Sequence, residues 1–195
     1  MMKLVAATHN KGKLAELTEM LGGRYVLLPV SDFDGGVEPE ENGNSFEENS
    51  RIKARAAFAA SGLPSFGDDS GLCVDALGGA PGIYSSRYAA GGSAARNAKL
   101  LRELSGVPEE KRTAKFVCCI TFTDGEHEFT VRGECRGRIL EREKGEGGFG
   151  YDPVFFSDEL GRPFGEVSAA EKDAVSHRGK AVRLFAERLA EIYGE

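Results

Sequence analysis

No apolar run in the 195-residue sequence is longer than a few residues, against the roughly 20 that a membrane-spanning helix requires. A membrane-embedded chain is therefore excluded. Cysteine is scarce: Cys73, Cys118, Cys119 and Cys135 include one adjacent pair and no C-x-x-C spacing. That leaves neither a disulfide framework nor a zinc ribbon, and the four thiols are expected in or near the core of a reduced, cytoplasmic protein. His9, His127 and His177 are too few and too scattered for a zinc site. Positive charge is also in deficit, 25 basic residues against 31 acidic for a net of −6. This argues against a sequence-independent grip on a nucleic-acid polymer. Internal repeats, low-complexity tracts and linker-like segments are missing as well. Met1-Met2-Lys3-Leu4-Val5 runs straight into a strand-like segment without signal-peptide architecture. What remains is 41% hydrophobic and 29% charged, the balance of an ordinary soluble domain, and 195 residues suffice to bury a core without staples.

The order of elements points to an α/β fold. Lys3 to Thr8 reads as a strand buried on both faces. Asn10 caps a helix carrying Leu14, Leu17 and Leu21, stopped by Gly22-Gly23. Tyr25 to Val30 is a second strand. Ser45 and Glu48 form a capping box that opens a helix running to about Ala60. Pro64 to Gly67 makes a short strand ending at Asp68-Asp69-Ser70-Gly71. Gly78 to Gly82 is a loop, and Ser93 caps a helix to Leu104. Lys115 to Thr123 is apolar enough for a central strand, Asp124-Gly125 marks a hairpin turn, and Phe129 and Val131 alternate along the returning strand, which continues through Leu140. A glycine-rich turn, Gly145 to Asp152, precedes the apolar Val154-Phe155-Phe156. The last helix starts near His177 and carries Val182, Phe185, Leu189 and Ile192. Alternating helices and strands with one antiparallel hairpin predict a mixed, partly antiparallel central sheet flanked by helices, in a single domain spanning 1–195.

Five segments hold residues with chemistry. Thr8-His9-Asn10-Lys11-Gly12-Lys13 lies between a buried strand and a helix, where free amides, the helix dipole and a lysine suit a phosphate group; a well-capped helix with a surface lysine has the same sequence. Between Arg24 and Arg51 stand seven acids (Asp32, Asp34, Glu38, Glu40, Glu41, Glu47, Glu48) and no base, a solvated loop or a site for a hard cation such as Mg²⁺. On the helix that follows, Asn49 and Lys53 share a face with Phe46, so Lys53 either snorkels or meets an anion. Asp68-Asp69 can divide the labour between holding a metal and orienting water, or belong to a turn. Glycines around Phe149 let backbone amides approach a ligand while the ring stacks on a base. Lys172, His177 and Arg178, the last two behind the cap Ser176, can donate to a carbonyl or a phosphate.

Together these segments resemble the inosine triphosphate pyrophosphatase (Ham1-like) family, the noncanonical purine nucleoside triphosphate hydrolases. The resemblance spans nearly the whole chain: T-H-N-K-G-K at 8–13, E-E-N-G-N-S-F-E-E-N at 40–49 with Lys53, D-D-S-G-L at 68–72, G-G-A-P-G-I-Y-S-S-R-Y at 78–88, G-G-F-G-Y-D-P at 147–153 and S-H-R at 176–178. Asn42, where the family more often has threonine, and Asp173, where asparagine is common, depart from its pattern.

The resemblance implies two lobes around a deep substrate cleft, usually a homodimer, and cleavage of ITP, dITP and XTP to the monophosphate and pyrophosphate with one or more Mg²⁺ ions per subunit. Carried over by position, Thr8, Asn10 and Lys13 hold the phosphates, in a substrate-binding stretch that also includes His9, Lys11 and Gly12; Lys53 supports them and is catalytic together with Lys13 and Asp69. Glu41 or its neighbour Glu40 faces the metal together with Asp69, which is also the candidate base. Ser70 contacts the substrate; Phe149, Gly150, Tyr151 and Asp152 line the base pocket; Lys172, His177 and Arg178 read the base. Two other classes stay open: a related pyrophosphatase of modified pyrimidine nucleotides of the Maf type, and a nucleotide-binding module without catalysis.

Overall fold

The computed structural model describes residues 1–33, 35 and 39–194; Asp34 and Glu38 of the acidic stretch lie outside the described residues. Asn10 builds the first helix, its Oδ1 accepting from the amides of Gly12 and Lys13 at 2.9 and 3.2 Å. That helix, α1 (Lys11–Leu21), follows strand β1 (Met2–Ala6) and leads through Gly22 to β2 (Tyr25–Pro29). Next come α2 (Phe46–Ser61), β3 (Ser65–Val74), α3 (Gly92–Glu103), β4 (Thr113–Thr123), β5 (Glu128–Ile139), β6 (Phe155–Ser157), β7 (Arg162–Pro163), α4 (Ala169–Val175) and α5 (His177–Tyr193). The strands form one sheet in the order β2-β1-β3-β4-β5-β6-β7. β1 runs parallel to β2 and β3, whereas β6 is antiparallel to β5 and β7. The mixed, partly antiparallel sheet expected from the sequence is observed.

Four local expectations are corrected. β3 does not stop at Gly67: it is ten residues long and runs through Asp68-Asp69-Ser70-Gly71 to Val74; most of these side chains are buried, so an interior strand and not a turn carries the acids. Ser45 accepts from the Glu48 amide at 3.1 Å, yet Glu48 reaches back to the Asn44 amide at 2.7 Å, leaving the capping box open on one side. Gly91, not Ser93, caps α3; the Ser93 hydroxyl instead accepts from Arg96 at 3.0 Å. Helix α4 was not expected, although Ser168 and Glu171 at S-x-x-E spacing close a full capping box there.

The chain divides into two compact units. The first comprises Met1–Asp69, Cys118–Arg132 and Ala181–Glu195. Alternation along β1 sends Leu4 and Ala6 to a core with Leu17, Leu21, Phe66, Ile120, Phe122, Phe185 and Leu189, and Val5 and Ala7 to a second cluster with Val30 and Ala57. Phe185 of α5 is the centre of the larger core, its ring 5.1 Å from Phe66, 5.8 Å from Phe129 and 6.2 Å from Phe122.

The second unit comprises Ser70–Val117 and Gly133–Lys180. Its core joins Leu72, Val74, Leu100, Leu104, Phe116, Ile139, Tyr151, Val154, Phe155 and Phe164. Beside it Arg112 is 3% exposed and donates to the carbonyls of Ile139 (2.8 Å), Leu104 (2.9 Å) and Leu140 (2.8 Å). The guanidinium thereby satisfies carbonyls just past α3, at the end of β5 and one residue beyond it. Replacing Arg112 by Ala strands these acceptors and is expected to cost roughly 2–4 kcal/mol, read as a lower urea midpoint at an unchanged slope.

Candidate active site

In the first unit, two lysines from different helices converge on the acids of β3. α2 approaches the strand so closely that a Cβ on Gly67 would sit 2.3 Å from the Ser50 carbonyl oxygen and 2.8 Å from Lys53 Cβ. Lys53, four residues beyond Asn49, is thereby laid along β3: its Nζ donates to the Asp68 carbonyl at 3.1 Å and to Asp69 Oδ1 at 2.8 Å, and pairs with Glu41 Oε1 at 2.6 Å. Lys53 meets anions instead of snorkelling. Lys13 comes from the first turns of α1 and pairs with Asp68 Oδ1 at 2.5 Å. The other Asp68 oxygen accepts from the Cys118 thiol at 3.3 Å, a polar role that composition gave no means of seeing. Around this cluster, Thr8 Oγ1 accepts from the Asn10 amide, and His9 and Lys11 are exposed beside the half-buried Gly12.

The electrostatics follow from burial. Desolvation works against the Lys53 charge, but the carboxylates of Asp69 and Glu41 outweigh it and hold the ammonium above the usual lysine range. Burial pushes the Asp69 carboxyl up, with Lys53 and Lys13 pulling the other way. Asp69 Oδ2 is buried and has no hydrogen-bond partner, an acceptor placed where an anionic oxygen without a ligand is costly. Among the described residues no three His, Cys, Asp or Glu side chains form a ready metal cage. The donor set nevertheless fits Mg²⁺, which takes one or two carboxylates and completes its shell from water and substrate phosphate. Glu41 is the acid brought to Lys53; Glu40 is exposed.

The second unit assembles a different cluster. Asp152 is 2% exposed and its Oδ2 accepts both from the Phe149 amide at 2.7 Å and from Lys172 Nζ at 2.8 Å. Gly148 permits this: at φ +72°, a Cβ there would lie 2.1 Å from that oxygen. Lys172 Nζ stands 4.7 Å from the centre of the half-buried Phe149 ring and the Arg178 guanidinium 5.7 Å from it. Arg178 also donates to Ser70 Oγ at 2.9 Å. His177 stacks on Phe116 at 4.7 Å between centroids, and Ser176 caps α5 by accepting from the Gly179 amide at 3.0 Å. Tyr151 belongs to the core, its hydroxyl donating to the Ser85 carbonyl at 2.8 Å and its phenol pushed up to about 12 by burial. Gly150 takes φ +66° between the two aromatics. A ring flanked by two fixed cations suits a flat, carbonyl-bearing heterocycle.

The Ham1 family model matches residues 4–188. The chain belongs to the Ham1 family. Among the relatives of this Ham1-family chain, a dITP/XTP pyrophosphatase of Pseudomonas syringae is 52% identical over 191 residues, covering 96% of each chain. Another from Geobacter sulfurreducens is 49% identical over 97% of each. The solved structure of a HAM1 protein from Coxiella burnetii superposes with a TM-score of 0.89 at 38% identity, covering 98% of this chain and 100% of that one.

Removal of the Asp152 carboxylate by Asp152→Ala leaves Lys172 buried without its counter-charge. This is expected to cost about 3–5 kcal/mol, with much of the loss recovered in the double variant Asp152→Ala/Lys172→Met. Chemical denaturation of the single and double variants checks it; an undamaged single variant would remove Asp152 as the organiser of this cluster.

Proposed function

We propose that this chain hydrolyses noncanonical purine nucleoside triphosphates, ITP, dITP and XTP, to the monophosphate and pyrophosphate in a Mg²⁺-dependent reaction that cleanses the nucleotide pool. Family membership and relatives named dITP/XTP pyrophosphatase support it. The observation that carries the chemistry is the buried cluster of Lys13 and Lys53 on Asp68, Asp69 and Glu41, with one Asp69 oxygen left over.

The triphosphate brings about four negative charges. Lys13, Lys53 and the positive end of α1 neutralise and orient it. Glu41 and Asp69 are the residues that would hold Mg²⁺, which when bound would offset the charge that builds up on the leaving group. Asp69 takes the proton of the attacking water, a role that its raised carboxyl suits. The water oxygen joins one of the phosphorus atoms flanking the α–β bridge and the bridging P–O bond breaks; its electron pair leaves on the bridging oxygen, with pyrophosphate when the α-phosphorus is attacked and with the monophosphate when the β-phosphorus is.

Base selection falls to the second cluster. Phe149 stacks on the purine, and Lys172 or Arg178 donates to the oxygen at purine position 6, with His177 and Ser70 beside them. Adenine presents an amino donor at that position and leaves a buried cation facing a donor, about 1–3 kcal/mol for each such contact. A homodimer and a cytoplasmic address belong to the same proposal; among the described residues no helix is long and apolar enough to cross a membrane, and sedimentation reads the oligomeric state.

The deciding experiment gives purified protein and Mg²⁺ the substrates ITP, dITP, XTP, GTP, ATP and dTTP in parallel and separates the products by ion exchange. Monophosphate plus pyrophosphate from ITP, dITP and XTP, with little from the rest, is the expected result. Binding of ITP without turnover would make the chain a nucleotide sensor. Asp69→Asn is expected to lower kcat by about 10²–10⁴-fold while a nonhydrolysable ITP analogue still binds. Lys172→Ala is expected to narrow the ITP-to-ATP preference more than it slows pyrophosphate release.

A further inference from the structure

Asn49 is fully buried on α2, four residues before Lys53. Its Oδ1 accepts from the Gly43 amide at 2.9 Å, and this bond fixes the side-chain orientation, because the flipped amide would set a donor against a donor. Residue 43 has no room for more than hydrogen: a Cβ would lie 2.7 Å from that oxygen and 2.7 Å from Glu48 Cβ. One residue further, Glu48 accepts from the Asn44 amide at 2.7 Å. Residues 39–44 have no helix or strand of their own, so the segment lies on α2 through contacts with side chains of that helix. Glu41 is two residues from the pinned amide and reaches Lys53 on the same helix.

We propose that Asn49 is a positioning residue that clamps Gly43, and thereby sets Glu41 beside Lys53 and Asp69 where the divalent cation is taken up. This rests on the placement of Mg²⁺ at Glu41 and Asp69 under Proposed function. Residues that orient metal ligands commonly change metal affinity 10- to 100-fold when removed. The clamp has two halves, the acceptor on Asn49 and the missing side chain at 43, and loss of either releases the same segment.

The test uses the full-length protein with Asn49→Ala, Gly43→Ala, the double variant and Glu41→Gln. Two quantities are read: amide exchange of the segment 40–45 without metal or nucleotide, and the Mg²⁺ concentration giving half-maximal ITP cleavage. Asn49→Ala and Gly43→Ala are each expected to speed exchange in 40–45 at least tenfold and to raise the half-saturating Mg²⁺ about tenfold. Excess Mg²⁺ restores kcat, and the double variant is no worse than either single one. Should Asn49→Ala fold poorly, Gly43→Ala opens the clamp from the other side. Unchanged exchange, or faster exchange with an unchanged Mg²⁺ requirement, overturns the positioning role. Glu41→Gln is expected to raise the Mg²⁺ requirement with exchange intact; if it does not, the placement of the metal at Glu41 is what fails.

Discussion

At Gly67 the backbone of α2 comes so near β3 that a methyl group has no space, and the ion cluster of the first unit depends on that approach. Only at this separation does Lys53 reach the Asp68 carbonyl and the Asp69 carboxylate while its stem stays covered. Ala54, buried on the same helix, lies at this approach too, its backbone nitrogen 2.8 Å from where a Cβ on Gly67 would sit. A chain that must bury two lysines and three acids gains little from each pair singly, since desolvation consumes most of the Coulomb attraction. It gains from the arrangement as a whole, in which Lys53 is matched by Asp69 and Glu41, Asp68 by Lys13 and the Cys118 thiol, and one Asp69 oxygen is left over.

The second unit solves a related problem with one carboxylate. Asp152 settles an amide and an ammonium at once, so the ring of Phe149 and the charge of Lys172 take their positions from a common atom. Arg178, anchored on Ser70, adds a second cation near the same ring. Rigid donors of this kind discriminate by what they leave unsatisfied and not by how tightly they hold.

Much of this was legible in the sequence because local rules and tertiary demands agreed. Asn10 before Leu14, Leu17 and Leu21, the Asp124-Gly125 turn and the apolar run of β4 each announced their element. Lys53 was visible as a cation on an apolar face. The second half of β3 is hidden in the sequence because Asp-Asp-Ser-Gly is turn chemistry by composition; the lysines and the thiol that make those acids acceptable in a strand interior are Lys13, Lys53 and Cys118, residues distant in sequence. Gly67 gave no signal, since a glycine needed for close approach looks like any other. α4 carried its S-x-x-E signature in the open, but only seven residues long, it lacked the periodic apolar stripe that draws attention to a helix. Residue preference alone points to Ser93 as the cap of α3, but the left-handed Gly91 at φ +103° takes that place.

The two compact units are threaded unequally. The first is assembled from three separated stretches, the last of them Ala181–Glu195, whereas the second closes with Lys180. During synthesis, therefore, the aromatic cluster of Phe66, Phe122 and Phe129 waits for Phe185 until the whole chain of the second unit has been made. The unit that begins first is completed after the second, which is nested within it in sequence and already has its whole chain.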